Sequence, residues 1–369
     1  MTDIPASSRG PFDALLNTRV GQWARVNLFS SWLNSAATLV IGYLLLKFLF
    51  AFLSWALFNA VWTVDNQNTQ VCRDLKGVGA CWALVSEKYR FILFGTYPFE
   101  DQWRETASIL IFVGLYVISG MRRFWSIKLI YVWVAGLLAI GILMWGGVFG
   151  LNFIENDRWG GLVVTLILAT FGIAFAFPIG VLLALGRRSD MPAIKSLCVV
   201  YIEAIRGVPL ISLLFMASVM LPLFLPGGVT IDKLLRAQVA FIMFASAYLA
   251  EVVRGGLQAI PRHQYEAADA LGLTYWQSTL WVILPPALRI AVPPLVNTCI
   301  GFFKDTSLVL IIGLFDLLST IKVSLNDPAW AGFGVEAYLF AALVYFVFGY
   351  AMSCYSRSLE VGATASARG

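Results

Sequence analysis

The feature that most constrains this chain is the recurrence of apolar stretches about 20 residues long, the length of α-helix that crosses about 30 Å of hydrocarbon. Reading these runs with their flanks gives eight spans, at residues 35–62, 106–121, 129–148, 161–185, 197–225, 239–255, 293–314 and 338–354. A chain of 369 residues that is 59% hydrophobic and 13% charged, with a mean hydropathy of +0.79, is too apolar for a soluble domain of that length. Short alternating segments of the barrel kind do not dominate. The expectation is an all-α membrane protein, a polytopic helical bundle of about eight transmembrane helices. About 34 mostly polar residues precede the first run, which is longer than the apolar core of a signal peptide, so that helix is expected to stay as an anchor.

Lys and Arg in short loops give the orientation, because cytoplasmic segments retain them. Arg9, Arg19 and Arg25 precede the first span, Arg122, Arg123 and Lys128 separate the second and third, and Arg187, Arg188 and Lys195 separate the fourth and fifth. Arg262 and Arg289 flank the loop after the sixth span, and Arg357 and Arg368 follow the last. All fall on one side if both termini are cytoplasmic. The loop 63–105 carries five bases, balanced by Asp65, Asp74, Glu87, Glu100 and Asp101, and longer loops cross with less regard for charge. The net charge of +5 is spread along loops rather than gathered on one face, which argues against nucleic acid.

Cys198, Cys299 and Cys354 lie in apolar runs and read as small hydrophobes. Cys72 and Cys81 share the polar loop VCRDLKGVGACW on the outer side, and could form a disulfide if that loop meets an oxidising compartment. His263 is the only histidine, and no thiolate cluster has ligand spacing, so no metal is expected.

Residues 1–158 hold a polar N-terminal segment, three spans and the long outer loop; beyond them the spans carry Pro, Gly and charge, and function should concentrate there. Between two long apolar runs lies EAADALGLTYWQSTLWVILP, residues 266–285. Pro261 suits a first helical turn and Gly272 a left-handed C-terminal cap, so the segment between them predicts about 15 Å of helix at 1.5 Å per residue. Ala267, Ala268, Ala270 and Leu271 give it a low apolar contact, with Glu266 and Asp269 polar. Such a helix suits a groove on another protein, or an ordinary solvated loop.

The spacing Glu-Ala-Ala, three residues, Gly, nine residues, aliphatic, one residue, Leu-Pro resembles the EAA loop of bacterial ABC importer permeases. Glu266, Ala267, Ala268, Gly272, Leu284 and Pro285 match, and Val282 stands where Ile is common. With YIEAIRGVPL, AYLAEVVRGGLQAIP and FFKDTSLVLIIG, the chain is similar to the polar amino acid uptake branch, and RGVPLISLLFMASVMLPLFLP to the M-type permease of the general L-amino acid transporter. The resemblance implies a type I permease core of five helices at 159–360, its coupling loop at 261–286, and a cytoplasmic tail at 361–369. It implies a bacterial inner-membrane location and, as partners, a second related permease in a heterodimer, two cytoplasmic ATPase subunits and a periplasmic amino acid-binding protein. No Gly-Lys dipeptide occurs, so no P-loop is present; the chain is expected to bind no cofactor, with ATP and Mg on the ATPase partner and no enzyme activity of its own.

Charges inside spans are expensive and point to function by default. Lys304 and Asp305 would lie about 17 to 18 Å along a span starting near Pro293, close to its middle. Asp305 suits a substrate ammonium, and Thr306, Ser307 or backbone N–H groups at a local helix break suit its carboxylate. The other reading of Lys304 and Asp305 is pairing with neighbouring helices. Glu203 with Arg206, and Glu251 with Arg254, are i, i+3 pairs that read as intrahelical gating or structural ion pairs, with Glu251 also a lesser candidate for substrate contact. Pro178, Pro209, Pro293 and Pro294 are expected to kink helices. The competing class is an ion-coupled secondary transporter, with Asp305, Glu251 and Glu203 as a proton or sodium route.

Overall fold

The computed structural model describes residues 18–64 and 69–366; Arg9, Asp65 and Arg368, used above for orientation, lie outside the described residues. The described chain is helical, with isolated bridges at Val61 to Cys81 and Gly161 to Asp316. It packs as two compact units that meet in sequence at Ala83 and Leu84. The boundary expected at residue 158 falls within the second unit, in the 3-10 turn Asn156–Arg158.

The first unit holds α1 (Arg19–Asn27) and α2 (Trp32–Leu53), the latter running on as a π-turn through Ser54–Phe58. Ser31 caps α2 by accepting from the Asn34 N–H at 3.2 Å. No residue of Trp32–Leu53 is buried. After it, Trp82 donates to the Ala56 carbonyl at 2.7 Å, and Cys72 and Cys81 are joined with an S–S distance of 1.96 Å.

The second unit contains α3 (Ala83–Phe94, whose first residue closes the first unit), α4 (Gln102–Gly120), α5 (Ile127–Trp145), α6 (Gly161–Arg187), α7 (Pro192–Gly207), α8 (Leu210–Phe215) and α9 (Lys233–Gln258). It continues with α10 (Arg262–Ala270), α11 (Leu284–Asp305), α12 (Leu317–Ser324) and α13 (Gly334–Ser366). Six described helices are long and apolar enough to cross a membrane, seven if one bent pair is a single span. The eighth expected span is α4, long enough at 19 residues but with Arg104 and Glu105 in its opening turns. Arg104 is fully buried and donates to the carbonyls of Leu143 and Asn152, at 2.5 and 3.0 Å, so it satisfies the C-terminus of α5. Glu105 is equally buried, and among the described residues neither carboxylate oxygen has a hydrogen-bond partner of ordinary geometry.

Two spans differ from expectation. The run 197–225 is not one helix: α7 and the segment Leu210–Phe224 meet at 100°. Pro209 supplies no N–H and forces Val208 into extended backbone (φ −108°, ψ 132°), which ends α7. The run expected to start at Pro293 starts earlier, in a helical segment that extends from Tyr275 to Ile312. Pro293 and Pro294 therefore lie inside α11, as Pro178 lies inside α6, and the sharp bend belongs to Pro209.

The core of the second unit is α9 packed between α6 and α11. A Cβ on Gly180 would stand 3.0 Å from the Leu249 Cβ and 3.1 Å from the Ser246 carbonyl, and one on Gly256 would stand 2.4 Å from the Ala287 carbonyl. Small residues let helix backbones approach where lipid provides no hydrophobic drive.

Candidate functional site

The ends of α6, α7 and α9 that carry Arg187, Arg206 and Arg254 converge on one carboxylate. Glu251 receives Arg187 at 2.9 Å, Arg254 at 2.7 Å and Arg206 at 3.6 Å, and its side chain is 15% exposed. Arg187 also holds Glu203 at 2.9 Å. The intrahelical pair expected between Glu203 and Arg206 is thus replaced by pairs across helices, whereas Glu251 and Arg254 do pair within α9. The reason is Arg187, which closes α6 and reaches both carboxylates; sequence spacing alone assigned it only to orientation. Arg206 also lies over the Tyr248 ring, 5.4 Å from its centre.

The next residue ties this cluster to the short helix. Arg188 donates to the Leu257 carbonyl at 2.9 Å and to the Tyr265 hydroxyl at 3.0 Å. Tyr265 belongs to α10, so one guanidinium joins the ends of α6 and α9 to that helix. A cleft of about 430 Å³ runs beside this contact, with Arg262, Glu266 and Asp269 on its wall.

Helix α10 forms from Arg262, after Pro261, and ends as its spacing predicts. Gly272 adopts φ +71° and donates to the Asp269 carbonyl at 2.9 Å, and the Leu273 N–H bonds back to Ala268 at 3.2 Å. Ala268 is buried, while Glu266 and Ala267 are exposed. His263 is exposed. Leu284 and Pro285 are not in a loop with them: Thr274 and Gln277 form a capping box that starts a new helix, and both residues sit in the opening turn of α11. Leu271, Tyr275, Trp276 and Trp281 are exposed around this turn, an apolar surface that the spacing of small residues did not reveal.

Lys304 and Asp305 end the α-helical part of α11 and are treated differently. Among the described residues neither has an ion pair with another helix. Lys304 is exposed and Asp305 half-buried. The Thr306 hydroxyl donates to Phe303 at 2.8 Å and the Ser307 hydroxyl to Lys304 at 2.8 Å. The backbone does not break here but tightens to a 3-10 helix over Thr306–Ile312, so the free N–H groups expected of a break are not supplied by this segment.

At the far end of α6 from Arg187 a buried acid went unnoticed in the sequence. Asp316 caps α12, accepting from the Leu318 and Ser319 N–H groups at 3.1 and 3.0 Å, from the Ser319 hydroxyl, and from Tyr345 at 3.3 Å. Burial pushes its carboxyl above the usual range while these donors pull it back. Beside it, the Leu317 N–H donates to Thr165 of α6 at 3.1 Å and the Gly161 N–H to Phe315 at 2.8 Å. The Asp-Leu-Leu-Ser run is an N-cap signal that could have been read.

Residues 176–361 match the family described as binding-protein-dependent transport system inner membrane component. The chain is 49% identical over 350 residues to the inner membrane amino-acid ABC transporter permease protein YhdY of Escherichia coli, covering 93% of each. It is 38% identical over 407 residues to the glutamate/glutamine/aspartate/asparagine transport system permease protein BztC of Rhodobacter capsulatus, covering 92% of each. A crystal structure of an amino acid ABC transporter with histidines aligns with a TM-score of 0.49 and 32% identity, over 54% of this chain and 91% of that one. An all-helical chain of long apolar spans, matched along nearly its whole length by such relatives, is a transport component: it belongs to the family of binding-protein-dependent transport system inner membrane components.

Proposed function

We propose that this chain is the permease subunit of an ATP-driven importer of L-amino acids, with α10 as the coupling helix that seats in a cleft of a cytoplasmic ATPase subunit. The supporting observation is the Arg188 bridge, which joins Tyr265 of α10 to the ends of α6 and α9, one residue from the Glu251 cluster. A push on α10 reaches the transmembrane helices through a named hydrogen bond rather than through a slack loop. Glu266, Ala267 and Gly272 form the docking face, with Ala268 buried beneath it to seat the helix, and Leu284 and Pro285 fix the exit into α11.

In this reading residues 159–360 are the permease core, 261–286 its coupling segment and 361–369 a cytoplasmic tail. Residues 1–158 add a cytoplasmic segment, three helices and a periplasmic loop stapled by Cys72 and Cys81. Both termini face the cytoplasm, since the arginines of the Glu251 cluster, Arg188, Arg262 and Arg289 belong to one side. The partners are a second related permease, two ATPase subunits that bind ATP and Mg, and a periplasmic amino acid-binding protein. Asp305 accepts the ammonium common to all amino acids, with Lys304, Thr306 and Ser307 beside it on the path. Glu203, Arg206, Glu251 and Arg254 act as a gate latch.

The ion-coupled alternative loses support from the same geometry, because a proton or sodium route needs carboxylates free to exchange. Glu251 is held by three arginines and Glu203 by one. The test is reconstitution of the complex with Tyr265→Phe. Substrate-stimulated ATP hydrolysis should fall several-fold while the unstimulated rate persists. Uphill uptake by vesicles that contain this polypeptide alone would overturn the proposal.

A further inference from the structure

Lys47 is a charge that no part of the transport reading uses. It lies in the helical segment Trp32–Phe58, about 22 Å from the first residue and about 16 Å from the last at 1.5 Å per residue. Its neighbours Leu44, Leu45, Leu46, Phe48, Leu49 and Phe50 are all exposed and apolar, and the segment has a mean hydropathy of 2.2. Among the described residues the Lys47 ammonium has no carboxylate or hydrogen-bond partner.

A cation at that depth is costly in hydrocarbon and is retained where it meets an opposite charge or reaches the interface. Reaching the interface is difficult here. A helical lysine leans toward the N-terminus of its own helix, and in that direction the apolar run continues to Leu39, about 12 Å away at 1.5 Å per residue. A stem of four methylenes covers about 6 Å, at roughly 1.5 Å per bond. The ammonium therefore stops short of Thr38, Ser35 and Asn34, and the one hydroxyl on the way, that of Tyr43, makes no hydrogen bond to it among the described residues. Nor can α2 of a second copy cover it, because a two-fold contact between identical helices would bring two ammonium groups together.

We propose that α2 is a docking helix for a transmembrane helix of a different membrane-embedded chain, one that carries a single Asp or Glu near its midpoint, with Lys47 as the contact that selects it. Each charge is costly alone and tolerable together, so the pair fixes register and partner while the surrounding Phe and Leu side chains supply packing. The inference rests on the membrane reading of α2 but not on the identity of the substrate.

The experiment uses the whole transporter in its native membranes, treated with a hydrophobic carbodiimide. The reagent condenses the Lys47 amine with a carboxylate in contact to form an amide, and takes up the water lost as a urea. Mass spectrometry of the linked peptides should show Lys47 joined to one Asp or Glu inside an apolar helix of another chain. Lys47→Leu should lower recovery of that chain with this one in mild detergent by at least tenfold. Lys47→Glu combined with Lys at the linked position should restore it. A link to a carboxylate of this same chain would overturn the proposal. So would the absence of any protein link together with a Lys47→Leu complex of unchanged composition, since the lysine would then be served by lipid. Uptake by the unmodified complex, measured in the same membranes, separates failure of docking from failure of the transport reading.

Discussion

The second unit handles its membrane-embedded charges in two opposite ways. Around Glu251 every charge is met, with three arginines from three helices on one carboxylate and Glu203 shared through Arg187. At the end of α11, Lys304 and Asp305 stand beside each other without a partner on another helix among the described residues. A satisfied cluster stores its energy in holding helices together, whereas an unsatisfied one retains energy for something that arrives. On the proposed function, the first belongs to the gate and the second to the cargo.

The comparison breaks most visibly at Glu251. Glu251→Gln removes the charge that faces Arg187, Arg206 and Arg254 at once, which should destabilise the solubilised complex by about 3 kcal/mol and make ATP hydrolysis less dependent on substrate. A thermal midpoint equal to the parent's would show that the cluster holds nothing. Asp305→Asn should do the reverse, with the midpoint kept and uptake of every substrate weakened about 10- to 100-fold, the worth of a charged hydrogen bond of about 1.5–3 kcal/mol. A loss confined to one class of side chain would contradict an ammonium site.

Two smaller effects sharpen the contrast. Gly272→Val meets open space but a φ of +71°, so the strain of about 1–2 kcal/mol is confined to the end of α10. The chain should still insert, with substrate-stimulated hydrolysis reduced; full stimulation would separate α10 from coupling. The least effect belongs to the surface pair of Lys88 and Asp327, 2.8 Å apart. The Lys88 ammonium, followed by the Ala329 N–H, holds the Asp327 carboxyl below its usual range. A depressed carboxyl contributes stability that is present above its unfolded value, near about pH 4, and lost as pH falls through the folded one. Midpoints measured between about pH 6 and pH 3 should therefore show a slightly steeper decline in the parent than in Lys88→Met.

Much of this was legible in the sequence where the signal is local. Long apolar runs predicted the spans, and Pro261 with Gly272 predicted α10. The elbow at Val208 and Pro209 was also written locally, but the apolar run across it masked the break. The start at Tyr275 was hidden because Thr274 and Gln277 look like loop residues until their mutual capping is seen. The Glu251 cluster could not be read, since i, i+3 spacing offers Arg206 to Glu203 while the fold brings Arg187 from 16 residues earlier in the chain. Asp316 was missed for the same kind of reason: its cap is local, but its burial against Thr165 and Tyr345 is not.

The missing side chains at Gly180 and Gly256 have a kinematic consequence. With α9 set so near α6 on one flank and α11 on the other, a single added methyl at either glycine would act as a wedge, forcing apart the helix whose end carries Glu251 and the neighbour it lies against.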